Sequence, residues 1–208
     1  MSVERPNPPE RSDYLKAYDA LPEPFERGSI SALDKPVLRI LDELKDSILQ
    51  GEYAAIIGED ASGRLPTLML GHVILDVYKA QKNQPPLLRF FAGSRKLSKN
   101  SYKDQILKHN ALESQIGKLK QSIEKSGSKG SKILVITDTI LTGRSLDPLM
   151  AAIRENGLKV DIVTIGLADE EALQGSRNLE SRWGAKIVLG EIGTPEIYAF
   201  GRSLSGLK

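Results

Sequence analysis

Cysteine is absent from the 208 residues, which excludes disulfides and thiolate-ligated metals. Histidine is nearly absent too: with only His72 and His109, there is no basis for a His-rich zinc site. No run approaches the roughly 20 apolar residues that a helix needs to cross a bilayer. The opening MSVERPNPPERSD mixes charge with proline and offers no apolar stretch for a signal peptide, so a cytoplasmic location is the expectation. Aromatics make up only 5 % of the chain, with Trp183 the single tryptophan. The net charge of +2 is close to zero and by itself says little about partners.

What is present fits one α/β domain. Apolar residues at 40 % supply an ordinary core, and charged residues at 27 % an ordinary surface. The charge is unevenly spread. Between Ser94 and Lys132 ten basic residues stand against three acids, so this segment carries +7 and the remainder −5. Two readings fit it: the solvated face of a lysine-rich helix, or a positive lid that attracts a polyphosphate or a nucleic acid.

Residues 1 to about 30 contain Pro6, Pro8, Pro9, Pro22 and Pro24, which predicts an irregular arm. From Asp34, with Pro36 in the first turn, Val37, Leu41, Leu44 and Ile48 recur at helical spacing until Gly51. The run YAAIIG reads as a buried strand, Glu59 to Arg64 as a polar turn, Leu65 to Lys82 as a helix, and LLRFFAG as a second strand. In the basic segment Tyr102, Ile106, His109, Leu112, Ile116, Leu119 and Ile123 step by threes and fours, predicting a long helix that ends at the flexible SGSKGS. Three further strands follow, KILVIT, KVDIVTIGLA and AKIVLG, separated by helices from about Ser145 to Asn156 and from Glu170, capped by Asp169, to Trp183. The expected architecture is α/β: a mostly parallel five-stranded sheet flanked by helices, with a helical hood or insertion. Its parts are an N-terminal arm and helix over 1–50, a core over 51–200 with the basic insertion 94–132, and a tail over 191–208.

In such sheets ligands sit in the loops after the carboxyl ends of strands, which singles out Gly58–Arg64 and Thr137–Ser145. The segment ILVITDTILTGRSLDPLM reads as an anion cradle. A glycine allows close backbone approach, successive N–H groups and a helix N-terminus face the ligand, hydroxyls add donors, and Arg144 adds charge. Asp138 at the strand tip can accept hydrogen bonds from sugar hydroxyls. A plain capped strand–helix turn is the alternative.

This segment resembles the phosphoribosyl pyrophosphate (PRPP) motif of type I phosphoribosyltransferases, in which a hydrophobic strand leads into two adjacent acids and a loop ending T-G-x-S/T. The resemblance covers about residues 53 to 190. It implies that Leu141, Thr142, Gly143, Arg144 and Ser145 hold the 5-phosphate, and that Thr137 and Asp138 face the ribose, with Asp138 catalytic. It also implies that Ala61, Ser62, Gly63 and Arg64 form a pyrophosphate loop, with Ser62–Gly63 the place of a strained cis peptide. Mg²⁺, a homodimer, and a mobile basic insertion carrying Lys96, Lys99, Lys103 and Lys108 are further implications. This sequence differs from the pattern at three places. Thr137 stands where the first acid would be. Leu141 stands where hypoxanthine/guanine enzymes carry an Asp base, which turns the reading away from 6-oxopurines. Glu59 and Asp60 would repel pyrophosphate unless they point away or hold a cation.

Three functions compete at this point: transfer of phosphoribosyl from PRPP to a nitrogenous base, non-catalytic sensing of PRPP or a nucleotide, and nucleic-acid binding through the lysine-rich segment. Of the remaining residues, His72 reads as structural and His109 as a helix-surface residue or a ligand contact. Tyr198 and Phe200 read as core or dimer packing, or as stacking partners for a base. Trp183 reads as the anchor of its helix against the sheet.

Overall fold

A computed structural model describes residues 33–91, 102–140, 142–167 and 170–192, without the side chains of 60–62, 102–108, 170–174 and 176–177. The N-terminal arm, the start of the basic insertion (Lys96 and Lys99 included), Leu141, the expected cap Asp169 and the tail with Tyr198 and Phe200 lie outside the described residues. In chain order the elements are α1 (Asp34–Leu49), β1 (Tyr53–Glu59), α2 (Asp60–Ala80), β2 (Leu87–Phe91), α3 (Tyr102–Ser126), β3 (Lys132–Ile140), α4 (Asp147–Glu155), β4 (Lys159–Leu167), α5 (Glu170–Trp183) and β5 (Lys186–Ile192).

The apolar runs pair side by side. All five strands are parallel, in the order β2-β1-β3-β4-β5. A strand buried on both faces has no polar-out positions, which is why β1 and nearly all of β4 are buried along their length. Alternate residues supply two cores. Ile57, Ile133, Val135 and Ile162 point to a layer built from Leu112, Ile116 and Leu119 of α3, Leu149 and Ile153 of α4, and Leu179 and Trp183 of α5. Ile56, Leu134, Ile136, Val163 and Val188 point to the opposite layer, filled by Val37, Ile40, Leu44 and Ile48 of α1 and Leu70, Ile74 and Tyr78 of α2. The apolar stripe that predicted α1 is thus its buried face. The described half of the basic segment is likewise a packed crossover helix, with Lys118 and Lys125 left on its exposed side.

Polar bonds tie the central strands together where they begin. Tyr53 donates its hydroxyl to Asp161 at 2.9 Å, and Lys132 bridges Glu52 at 2.9 Å and Asp161 at 3.5 Å. The backbone N–H groups of Ser131 and Lys132 both reach the Glu52 carbonyl. This end of the sheet is thereby closed, and the carboxyl ends of the strands are left for chemistry. Among the described residues no helix is long and apolar enough to cross a membrane.

Three boundaries differ from expectation. Helix α2 begins at Asp60, directly after β1, so Ala61–Arg64 form a helical turn rather than a loop. The described peptides include no cis bond, Ser62–Gly63 among them. Strand β3 continues to Ile140, because β4 goes on pairing with it through Thr137↔Thr164, Thr139↔Gly166 and Ile140↔Leu167. Asp138 is therefore a strand residue, and α4 starts two residues later than expected, at Asp147.

Candidate functional site

The connection from β1 runs through α2 to β2 on one side, and that from β3 runs through α4 to β4 on the other. Strand order reverses between β1 and β3, the position at which open parallel sheets form a ligand crevice at the carboxyl ends of the strands. The crevice gathers the end of β1, the first turn of α2, the end of β3 and the loop to α4.

At its floor the register sets Gly58 opposite Ile136, so the next residues, Glu59 and Thr137, are cross-strand neighbours. Both are buried, at 4 % and 1 % exposure. Thr137 donates its hydroxyl to Glu59 Oε2 at 2.8 Å, and the same hydroxyl oxygen lies 3.3 Å from Asp138 Oδ1. A hydroxyl carries one proton, and the shorter distance assigns it to Glu59. Glu59 is therefore not a loop acid facing pyrophosphate. It is a carboxylate sealed into the sheet end, within about 6 Å of a second carboxylate across one threonine oxygen. At Thr137 a neutral residue replaces the motif's first acid, and the structure gives its hydroxyl a fixed acceptor.

The first turn of α2 packs against the end of β3. A Cβ on Gly63 would come within 3.1 Å of the Ile136 carbonyl oxygen and 3.6 Å of Thr137 Cα, so glycine allows an approach that a larger residue would crowd. Pro66 lies inside the helix, where it cannot donate to the carbonyl one turn earlier. The Arg64 guanidinium lies 5.8 Å from the centroid of the Phe90 ring at the end of β2, a cation–π distance. The segment expected to hold pyrophosphate therefore abuts the segment expected to hold ribose.

The loop after β3 exposes Thr142, Arg144 and Ser145 and buries Gly143. It turns on a Leu146 N–H bond to the Gly143 carbonyl at 3.0 Å. The Arg144 N–H reaches Thr142 Oγ1 at a long 3.5 Å. Buried Leu146, Leu149 and Met150 anchor its far side. Gly143 has φ +70° and rests against Trp183 and Leu179 of α5. Asp147, in the first turn of α4, accepts the Trp183 indole N–H at 2.9 Å and pairs with Arg182.

Sequence reasoning does not single out Trp183 or Glu191 as site residues, and it places Glu59 in the pyrophosphate loop rather than against Thr137. Glu191 is the penultimate residue of β5, at the same end of the sheet, and burial pushes its carboxyl above the usual range. Its pairing with Gly166 was the only available signal, and register is a property of the folded sheet. Thr139 Oγ1 is buried with no hydrogen-bond partner among the described residues.

A separate group, His109, Glu113 and Glu155, brings its ligand atoms within 4.8 Å of one another, with His109 Nε2 3.2 Å from Glu155 Oε2. Glu155 ends α4 at the opposite end of the sheet from the crevice, so this group lies apart from it. His72 is exposed on α2.

No family model and no curated protein matches the chain. Among solved structures, an orotate phosphoribosyltransferase from Aeropyrum pernix is 15 % identical over 86 % of this chain and 78 % of its own, with a TM-score of 0.45. A purine phosphoribosyltransferase from Pyrococcus horikoshii is 14 % identical over 67 % of this chain and 75 % of its own, with a TM-score of 0.40. At these values the fold assignment stands on strand order, parallel pairing and two-faced helix packing.

Proposed function

We propose that the crevice binds PRPP or the 5-phosphate end of a nucleotide, and that the protein transfers phosphoribosyl to a nitrogenous base with release of pyrophosphate. The observation that carries this reading is the convergence at one strand-order reversal of the PRPP-like segment and the α2 turn, with Gly63 against Ile136 and Thr137. In this reading Leu141, Thr142, Gly143, Arg144 and Ser145 take the 5-phosphate through backbone N–H groups, hydroxyls and one guanidinium. Asp138 accepts a ribose hydroxyl, beside Thr137. Ala61, Ser62, Gly63 and Arg64 offer the pyrophosphate a helix N-terminus and a cation.

In the reaction the bond from the anomeric carbon to pyrophosphate breaks and a bond to the base nitrogen forms, and the base gives up its N–H proton. Positive charge develops on the ribose ring while negative charge develops on the leaving group. The chain contributes alignment of the two reactants and donors aimed at the departing phosphates. The carboxylate of Asp138, partly exposed at the strand tip, suits a hard cation, so Mg²⁺, which would neutralise the leaving pyrophosphate, is compatible with it.

Calorimetry with PRPP and Mg²⁺, followed by pyrophosphate release across a panel of bases, tests the proposal. Binding with turnover for one base supports it. Saturable binding without release for any base identifies a PRPP sensor instead, and absence of PRPP binding removes the reading altogether.

A further inference from the structure

The phosphate loop has no regular structure of its own between β3 and α4, yet Gly143 is buried. What buries it is the only tryptophan in the chain. A Cβ built on Gly143 would lie 2.7 Å from Trp183 Cη2, 2.8 Å from Cζ2 and 3.1 Å from Leu179 Cδ1. The glycine Cα therefore rests on the edge of the six-membered ring, with φ at +70°, where a β-carbon is both strained and sterically excluded.

The same indole holds the loop at a second point. Its N–H donates to Asp147 Oδ1 at 2.9 Å. Arg182 pairs with the same oxygen and lies 5.6 Å from the indole ring centroid. Asp147 is in the first turn of α4, where a carboxylate also complements the helix dipole. One buried side chain at the end of α5 thus fixes both the middle of the loop and the start of the helix that follows it.

We infer that Trp183 is a positioning residue for phosphate binding: it holds the 142–146 loop in its ligand-ready shape, so that binding does not have to order it. This rests on the reading of Thr142–Ser145 as the phosphate cradle. A loop held in advance binds more tightly by the ordering cost that it avoids. Trp183 lies beneath the loop rather than in the crevice, so it acts on affinity and leaves the reacting atoms alone.

Two measurements test the inference. Tyrosine-free excitation of the wild-type protein isolates Trp183, and saturating PRPP should leave its emission maximum in place, because the loop packed on the indole is already formed. The Trp183→Phe variant keeps an apolar ring but lacks Cζ2, Cη2 and the N–H donor. It should weaken PRPP binding about tenfold while melting as a cooperative unit, and should raise KM with little change in kcat where turnover is measured. Gly143→Ala should cost less affinity in the Trp183→Phe background than in the wild type, because the two atoms that its Cβ strikes hardest are gone.

Absence of calorimetric binding by the wild type overturns both the cradle and the latch. PRPP binding that shifts the emission maximum, or Trp183→Phe affinity within twofold of wild type, overturns the latch alone. Should Trp183→Phe fail to fold, the wild-type emission titration still decides.

Discussion

Restoring an acid at Thr137 is the substitution that the motif invites, and the structure predicts that it fails on its own. The Thr137 side chain is 1 % exposed and its oxygen lies 2.8 Å from Glu59 Oε2. Thr137→Asp removes a donor that Glu59 uses and puts a second carboxylate in its place. Two like charges about 4 Å apart at an effective dielectric of about 20 repel by about 4 kcal/mol. Taken with a denaturant slope of about 2 kcal/mol/M, that moves the urea midpoint down by about 2 M. Folding forces one of the two carboxyls to a raised pKa. An acid raised in the folded state destabilises while ionised, and the loss is recovered as pH falls through the folded value and the native protein takes up the proton. The deficit relative to wild type should therefore be large near about pH 7 and smaller near about pH 5. Adding Glu59→Gln should return most of the lost stability at about pH 7, since the amide carries no charge and can donate. Urea titrations of wild type, both single variants and the double variant give the full cycle. A Thr137→Asp protein as stable as wild type at neutral pH, or a double variant no better than the single, would refute the assignment of Glu59 as a buried partner.

Other expectations concern both ends of the sheet. Asp138→Asn should weaken PRPP binding about tenfold, the scale of a lost charge-assisted hydrogen bond, with the melting temperature held; calorimetry and a thermal melt check the two halves. Tyr53→Phe removes the donor to Asp161 and should cost about 1–2 kcal/mol in a urea titration. The Tyr53 hydroxyl itself, pushed far above the usual tyrosine range by burial and by Asp161, should stay protonated in an alkaline absorbance titration of the folded protein. Glu52 is held below the usual carboxylate range by its hydrogen bond from Lys132. A depressed acid contributes stability above its unfolded pKa that is lost as pH falls through the folded one. Lys132→Met should flatten the acid-side decline of the urea midpoint, by less than about 1 kcal/mol given the partial exposure of the pair.

The sequence places the strands well because a parallel sheet covered on both faces leaves a simple trace, namely short runs with no polar interruption. YAAIIG, KILVIT and AKIVLG need no tertiary information to be seen. The amphipathic stripe of α1 and the three-four stepping of α3 are equally local. The ends of elements are not. Thr137-Asp138-Thr139 carries no apolar pattern, and it continues β3 only because Thr164, Gly166 and Leu167 of β4 are there to pair with it. Glu59-Asp60-Ala61-Ser62-Gly63 has the composition of a turn. It becomes strand end and helix start because Gly63 fits against the Ile136 carbonyl, a contact between segments more than 70 residues apart.

The site follows the same division. A linear motif reports residues that stand in chain order, so Asp138 and Thr142–Ser145 are the candidates that the sequence offers. It is silent about residues that act across the sheet or across a helix. Glu59 reaches Thr137 over 78 positions, and Trp183 reaches Asp147 over 36. Both supply what the segment itself lacks: a carboxylate near Asp138 where this sequence has a threonine in place of the motif's first acid, and support beneath a loop that has few bonds of its own. The departure at Thr137 therefore does not by itself mark a decayed site. A second acid is present at the carboxyl end of the neighbouring strand, and the threonine hydroxyl connects it to the first. Variants of Thr137 alone therefore report mainly on how the Glu59 and Asp138 carboxylates tolerate one another.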